Sequence, residues 1–366
     1  MSDIVYFSKM FQAVPHLAQV AKTLSGVFVT SRKSTLRAVG QLYPSVQTAR
    51  YSKYLGLLAR GNRLCRSAKV IVTGSPYRSF LAPYPAKKCT VFHGTYMMLS
   101  REALVRNAHF DLLCVIGPRM QGMIERFDMD RPLNTVQTGF LPFCEFPERS
   151  PMQRVEALVE MGLDPQRKTV LYTPSRRGQG SWEYAAMSLL RTTPPDYNLV
   201  LRPHPSQSLT PRGKDRESFR QIGAAALRRK NTLLDLTSKP LPVLQSVADL
   251  IVSDANSPAE ESLFYDVPQL FLETDRFSQR IMRDMVVSEG MHALDVERLM
   301  TLYDCGARLR VTGDADFSTV LDHCIADSGR FAGHRQDYFS WVFGSRDRLA
   351  GERVAAAIRD QLLHND

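Results

Sequence analysis

Four short stretches hold the side chains best suited to chemistry on a charged substrate. In "VFHGT" (91–95), His93 ends an apolar, β-branched run and is followed at once by Gly94 and Thr95. A histidine near its ordinary pKa can take the proton of a hydroxyl at neutral pH, as general-base catalysis requires. "VLYTPSRRGQGSW" (170–182) sets Ser175, Arg176 and Arg177 beside Gly178 and Gly180, as an anion-binding loop would. "LVLRPHP" ends in Arg202 and in His204, which is held between Pro203 and Pro205. "LIVSDANSPAEESLF" runs through Asp254 and Asn256 to Ser257, Pro258, Glu260 and Glu261. There Ser257 reads as an N-cap, Pro258 suits a first helical turn, and the glutamates favour the positive end of the helix dipole. The N–H groups of a helix start can receive a phosphate. Each feature alone has an ordinary structural explanation, since capped helices are common and a lone strand-end histidine usually has a local partner. Together, two histidines, several arginines and a helix start describe a cleft for an anionic donor.

Each stretch must be positioned by the strand before it. Candidate strands are Val27–Thr30, Val70–Thr73, Thr90–Phe92, Leu112–Ile116, Thr135–Thr138, Thr169–Thr173, Asn198–Arg202, Leu233–Leu236, Leu250–Ser253 and Gln269–Leu272. Helical lengths separate them, which predicts βαβ units and parallel sheets with ligands at the carboxyl ends of the strands. A proline-rich link around Pro142–Pro151 divides the chain into α/β domains over 1–145 and 146–345, with a C-terminal helix over 346–366 expected to pack back near the domain interface. In "TARYSKYLGLLARGNRLCRSAK", Tyr51, Tyr54, Leu55 and Leu58 fall at helical spacing. They predict either a core-packing helix with a solvated basic face or a basic surface that docks on anionic lipid.

The chain has 366 residues, 44% of them apolar and 23% charged, which suits two folded domains and argues against disorder. Six scattered cysteines without a CxxC pair signal neither a zinc site nor a disulfide framework, so a reducing cytoplasm is expected. "MSDIVYFSKMFQAV" lacks the pattern of an export signal, and no run has the length of a membrane span. The net charge of +10 is unevenly placed: between Asp3 and Glu102 there is no acidic residue, while fifteen lysines and arginines occur from Lys9 to Arg101. Such a field attracts nucleic acid, an anionic membrane or a polyanionic substrate. A transit peptide would be far shorter, and no nucleic-acid-binding motif accompanies the charge. No acidic pair sits at a strand end, so neither a bound metal nor a cofactor is expected.

"FHGT", "TGF", "VLYTPSRR", "LRPHP", "ADLIVSDANSPAEESLFYDVPQLFL" and "FGSRDRLAGERVAAAI" occur in this order, and from about Thr90 onward the chain resembles the CDP-glycerol glycerophosphotransferases of teichoic acid and capsule polymer synthesis. The resemblance implies a GT-B architecture, two Rossmann-like domains facing across a cleft, the first on the acceptor side and the second holding the nucleotide donor. An acceptor hydroxyl would attack the β-phosphorus of a CDP-linked polyol and release CMP. His93 matches the family's proposed general base, with Gly94 and Thr95 on the acceptor side. His204 matches a second required histidine near the donor phosphates, and Ser257 the second serine of an "SDYSS"-like motif. Here that motif reads "SDANS", with Ala255 and Asn256 in place of tyrosine and serine. Ser175, Arg176, Arg177, Arg202, Asp254, Asn256 and Glu261 complete the expected donor set. Arg346, Asp347 and Arg353 fall in the tail motif, which carries Arg348 where the family has glycine. The implied partners are a CDP-linked polyol, a lipid-linked or polyanionic glycan acceptor and an anionic membrane on the cytoplasmic face. Two other readings fit parts of the chain: a GT-B glycosyltransferase or sugar-nucleotide epimerase using a UDP- or CMP-sugar, and a non-catalytic basic protein that binds nucleic acid.

Overall fold

The computed structural model describes residues 3–127, 129, 131–209, 211–237 and 239–363, to which all structural observations refer. They form two units. The first comprises the chain up to Glu145, Glu289–His292 and the chain from Ser340 onward; the second comprises Phe146–Ser288 and Ala293–Phe339. The first unit contains strands β1 (Ile4–Phe7), β2 (Val27–Thr30), β3 (Gln47–Arg50), β4 (Val70–Thr73), β5 (Lys87–Thr90), β6 (Leu112–Val115) and β7 (Thr135–Gln137). They lie in the order β3-β2-β1-β4-β5-β6-β7, all neighbours parallel, with Val5 opposite Ile71 where β1 meets β4. The second unit contains β8 (Lys168–Thr173), β9 (Tyr197–Leu201), β10 (Thr232–Leu234), β11 (Leu250–Ser253), β12 (Gln269–Glu273) and β13 (Ala307–Arg310). Their order is β10-β9-β8-β11-β12-β13, again all parallel, with Leu171 opposite Ile251.

In both sheets the winding reverses at the middle, between β1 and β4 and between β8 and β11. Loops leaving those adjacent carboxyl ends diverge to opposite faces and open the crevice in which doubly wound sheets bind ligands. The inner strands "IVYF", "VIVT", "LLCV" and "LIVS" are buried at every position, as strands covered by helices on both faces must be. In the first unit the helix Ala350–Ile358 packs beside the helix Val14–Thr23, so that Val354, Ala355 and Ile358 join Leu17, Ala18, Tyr6 and Val72 in one core. Each fully buried aliphatic side chain contributes about 1.5–3 kcal/mol. Arg353 ties this helix back to its own unit, bonding the Thr138 carbonyl at 3.3 Å and pairing with Asp347. No helix among the described residues is long and apolar enough to cross a membrane.

Two expectations from the sequence are corrected. The strand expected at Thr90–Phe92 ends at Thr90, because Phe92 already has a left-handed φ of 55°. His93 therefore sits in a turn rather than at a strand end. The helix expected through Tyr51–Leu58 does not form. Gly56, at φ 46°, breaks the segment into a single 3-10 turn (Gly56–Leu58) ahead of the helix Arg60–Ser67. Tyr54 and Leu58 are 92% and 82% exposed, so they are not core residues. Tyr51 instead packs edge-on against Phe80, which stacks on Phe7.

Candidate functional site

The first unit builds its site at the switch point of its sheet, from the loops after β1, β4 and β5. The β4 loop presents the Gly74 carbonyl and the Ser75 hydroxyl, at 2.5 and 3.4 Å from His93 Nδ1. A carbonyl can only accept, so Nδ1 carries a proton, and in the neutral ring the lone pair is then on Nε2. This is the tautomer a general base needs, fixed by a hydrogen bond on the other ring nitrogen. Around His93 the backbone is unusual. Phe92, Gly94 and Tyr96 all have positive φ (55°, 68° and 51°), as does Tyr77 (40°) in the facing β4 loop. Left-handed non-glycine residues cost on the order of 1–3 kcal/mol each and persist where the surroundings over-determine them. Gly94 is the position in this turn where a left-handed backbone is free of that cost. From one side the buried Arg119 bonds the Thr95 carbonyl at 2.6 Å while its guanidinium lies 5.5 Å from the Trp341 ring centre. From the other, His16 Nε2 accepts the Gly94 N–H at 3.1 Å.

The second unit builds its site at the β8/β11 switch point. Asp254, buried just past β11, receives the N–H groups of Ser175 (2.5 Å) and Ser181 (3.1 Å) and the Ser181 hydroxyl. Burial pushes its pKa up to about 6, while those donors act in the opposite direction. The loop can close this tightly because residue 180 is glycine: a Cβ there would lie 2.4 Å from Asp254 Oδ2. Asn256 reaches across to the Thr173 carbonyl at 2.9 Å and caps the following helix by accepting the Ala259 N–H. The cap is therefore Asn256, extended in backbone, and Ser257 is the first residue of the helix Ser257–Ser262. Glu261, half-buried on that helix, has its pKa raised to about 8 by burial and by the neighbouring Glu260 charge.

His204, after β9, accepts the Ser206 N–H at Nδ1 (3.2 Å), with the Ser206 hydroxyl 2.8 Å from the same atom. An N–H can only donate, so Nδ1 is the acceptor and the ring proton is on Nε2, the reverse of His93. Burial, aided by the nearby Arg176 charge, lowers its pKa and keeps the ring neutral. Of the expected donor-site residues, the fold thus gathers Ser175, Asp254 and Asn256 at the switch point and sets exposed Arg176 within electrostatic reach of His204.

Two expected donor contacts are directed elsewhere. Arg177 bonds Asp215 at 2.7 Å and the Lys214 carbonyl at 3.0 Å, with Glu183 at 3.7 Å. Arg202 is 7% exposed and pairs with Asp235, itself 3% exposed, and with the Lys239 carbonyl at 2.9 Å. Both guanidinium groups already have their counter-charge within the unit, whereas Arg176 bonds the neutral side chain of Gln179 at 2.6 Å. Asp254 likewise serves as the clamp of the 175–181 loop. Sequence reasoning missed His16, Arg119, Gly74 and Ser75. The available signal for His16 was its place in "VPHLAQV", one residue after a proline at a helix start and shortly after the apolar run "IVYF".

No protein-family model matches the chain, and no curated protein matches it in sequence. Solved structures do match it along nearly its whole length. The wall teichoic acid polymerase TagF aligns over 98% of this chain and 89% of its own, with a TM-score of 0.66 and 13% identity. Anabaena HepE in complex with UDP and glucose aligns over 98% of this chain and 100% of its own, with a TM-score of 0.55 and 14% identity. A glycosyltransferase from Rickettsia africae ESF-5 aligns over 99% of each chain, with a TM-score of 0.54 and 12% identity. Two wholly parallel sheets with reversing strand order, together with these likenesses, give the chain the GT-B fold.

Proposed function

We propose that the chain transfers a polyol phosphate, such as glycerol phosphate, from a CDP-linked donor to a hydroxyl of a lipid-linked or polyanionic glycan acceptor in cell-envelope polymer synthesis, releasing CMP. The observation that carries this reading is the opposite tautomers of the two histidines. His93 offers a lone pair, suited to take the acceptor's proton. His204 offers an N–H, suited to a phosphate oxygen. The acceptor oxygen forms a bond to the β-phosphorus as the bridging P–O bond breaks, and the bridging oxygen leaves on CMP. Such a step needs positioning and charge stabilisation more than covalent help. Arg176 and the Nε2–H of His204 supply these on the donor side. The likeness to TagF, also solved as a variant soaked with CDPG, supports this donor class. A panel of CDP- and UDP-linked donors, scored for the nucleotide released, tests the reading. CMP from CDP-glycerol is expected; UDP from UDP-glucose without CMP release would replace it with sugar transfer.

The donor side carries its own prediction. Replacing His204 by alanine removes a hydrogen bond to a charged group, worth about 1.5–3 kcal/mol, so donor affinity falls roughly 10- to 100-fold and turnover falls with it. Calorimetric titration with CDP-glycerol checks this. Wild-type affinity in His204→Ala would remove His204 from the donor site.

The same reading places the enzyme on an anionic membrane beside its acceptor. Tyr54, Leu55, Leu57 and Leu58 are all exposed, and Lys53, Arg60 and Arg63 flank them in an acid-free stretch. Arg63 holds this loop in shape through the Leu57 and Leu58 carbonyls, at 2.9 and 3.1 Å. Apolar side chains ringed by cations suit a lipid interface, each nearby cation adding about 1 kcal/mol on anionic lipid. Vesicles containing phosphatidylserine should bind the protein at low salt and release it at 1 M salt, where the Debye length is about 3 Å. Replacing Tyr54 and Leu58 together by serine should weaken binding at every salt concentration. Binding indifferent to salt, lipid charge and these substitutions would defeat the proposal.

A further inference from the structure

His16 has no part in the reaction proposed above, yet it lies at the first unit's switch point, on the opening turn of the helix Val14–Thr23. Its ring is 5% exposed and meets Phe140 edge-on with centroids 5.3 Å apart, a place an apolar side chain could fill as well. What a purely apolar residue could not provide is the acceptor at Nε2, which takes the Gly94 N–H at 3.1 Å. That N–H belongs to the residue immediately after His93.

We infer that His16 is a positioning residue for His93, holding the Gly94 amide so that the left-handed turn keeps the His93 ring aimed for proton transfer. The inference rests on His93 being the base. The turn needs such support, because Phe92 and Tyr96 flank Gly94 with φ of 55° and 51°, conformations that relax unless neighbouring groups fix them. The Gly74 carbonyl fixes the His93 ring and Arg119 fixes the Thr95 carbonyl. His16 fixes the peptide between them. Burial, with the neighbouring His93, lowers the His16 pKa to about 3. The ring therefore stays neutral and Nε2 remains an acceptor even while His93 carries the proton taken from the acceptor hydroxyl. It also follows that the Gly94 N–H is engaged within the protein and is not a contact for substrate.

Two substitutions separate positioning from packing. His16→Phe keeps an aromatic ring but removes the acceptor; His16→Gln keeps an acceptor oxygen without the ring. With the donor chosen from the panel, His16→Phe should slow nucleotide release about 100-fold, the scale of a displacement of about 1 Å in a reacting group, at an unchanged donor KM. His16→Gln should recover most of the rate. In a His93→Ala background, His16→Phe should have little further effect, since the two act through one group. A full rate in His16→Phe, a His16→Gln enzyme as slow as His16→Phe, or an undiminished effect on top of His93→Ala would overturn the inference. A full rate in His93→Ala would sink the base assignment and this inference with it, whereas a full rate in His16→Phe sinks the inference alone. Should His16→Phe fail to fold, amide hydrogen exchange on the wild-type protein decides: Gly94 should be strongly protected, and exchange at the rate of an open loop would overturn the inference.

Discussion

Changing His93 to alanine should leave donor binding close to normal and slow turnover at least about 100-fold, the usual scale for lost acid–base assistance. The split follows from placement. His93 is in the first unit, and with Nδ1 engaged by the Gly74 carbonyl the acceptor of its neutral ring is Nε2, which suits a hydroxyl proton and not a phosphate oxygen. Loss of a general base removes an interaction made in the transition state, so the donor's ground-state affinity is spared. If His93 merely packed its turn, the alanine variant would lose stability, and its surviving folded fraction would turn over normally. Only a modest loss of stability is expected, because the ring is half-buried and its bond to the Gly74 carbonyl is worth about 1 kcal/mol. Thermal melting and single-turnover rates on the same preparation distinguish the two outcomes. A stable variant with near-normal turnover would end the assignment.

The sheets were legible in the sequence where burial on both faces leaves an uninterrupted apolar run, as in "VIVT" and "LIVS". The edge strands β3 "QTAR" and β13 "ARLR" carry too much polarity to stand out, because most of their positions are exposed or half-buried. Passing over β1 had a larger consequence. Without "IVYF" as the central strand of the first sheet, the helix after it could not be placed at the switch point, and His16 on that helix looked like any other histidine. His93 and His204 were visible because each follows an apolar run and sits beside glycine or proline. Their tautomers were not, since the partners that fix them are the Gly74 carbonyl, nineteen residues away, and the Ser206 amide in the first turn of the helix Pro205–Ser208, which His204 caps with its ring. The tail motif "GSRDRLAGERV" was conspicuous as a pattern, but its work inside the first unit depends on the distant Thr138 carbonyl.

Arg202 is where residue type and observed contacts diverge most, and the largest stability effect is expected there. An arginine after a strand and two residues before a histidine invites a phosphate-binding role. Its guanidinium instead lies almost fully buried against Asp235, whose other oxygen accepts the Thr237 N–H at 3.0 Å and the Thr237 hydroxyl at 2.6 Å. Removing one partner of a buried, hydrogen-bonded ion pair leaves the other charge without compensation and costs about 3–5 kcal/mol. Arg202→Met should therefore lower the melting temperature on the order of 10 °C, while the folded fraction binds donor as the wild type does. Adding Asp235→Asn removes the stranded charge but keeps an oxygen for Thr237, so the double variant should regain most of the loss. A phosphate-binding arginine would behave in the opposite way: Arg202→Met would be stable with weakened donor binding, and Asp235→Asn would not rescue it. Melting curves and donor titrations on the single and double variants decide between a guanidinium that shapes the β9 loop from within and one that meets the donor directly.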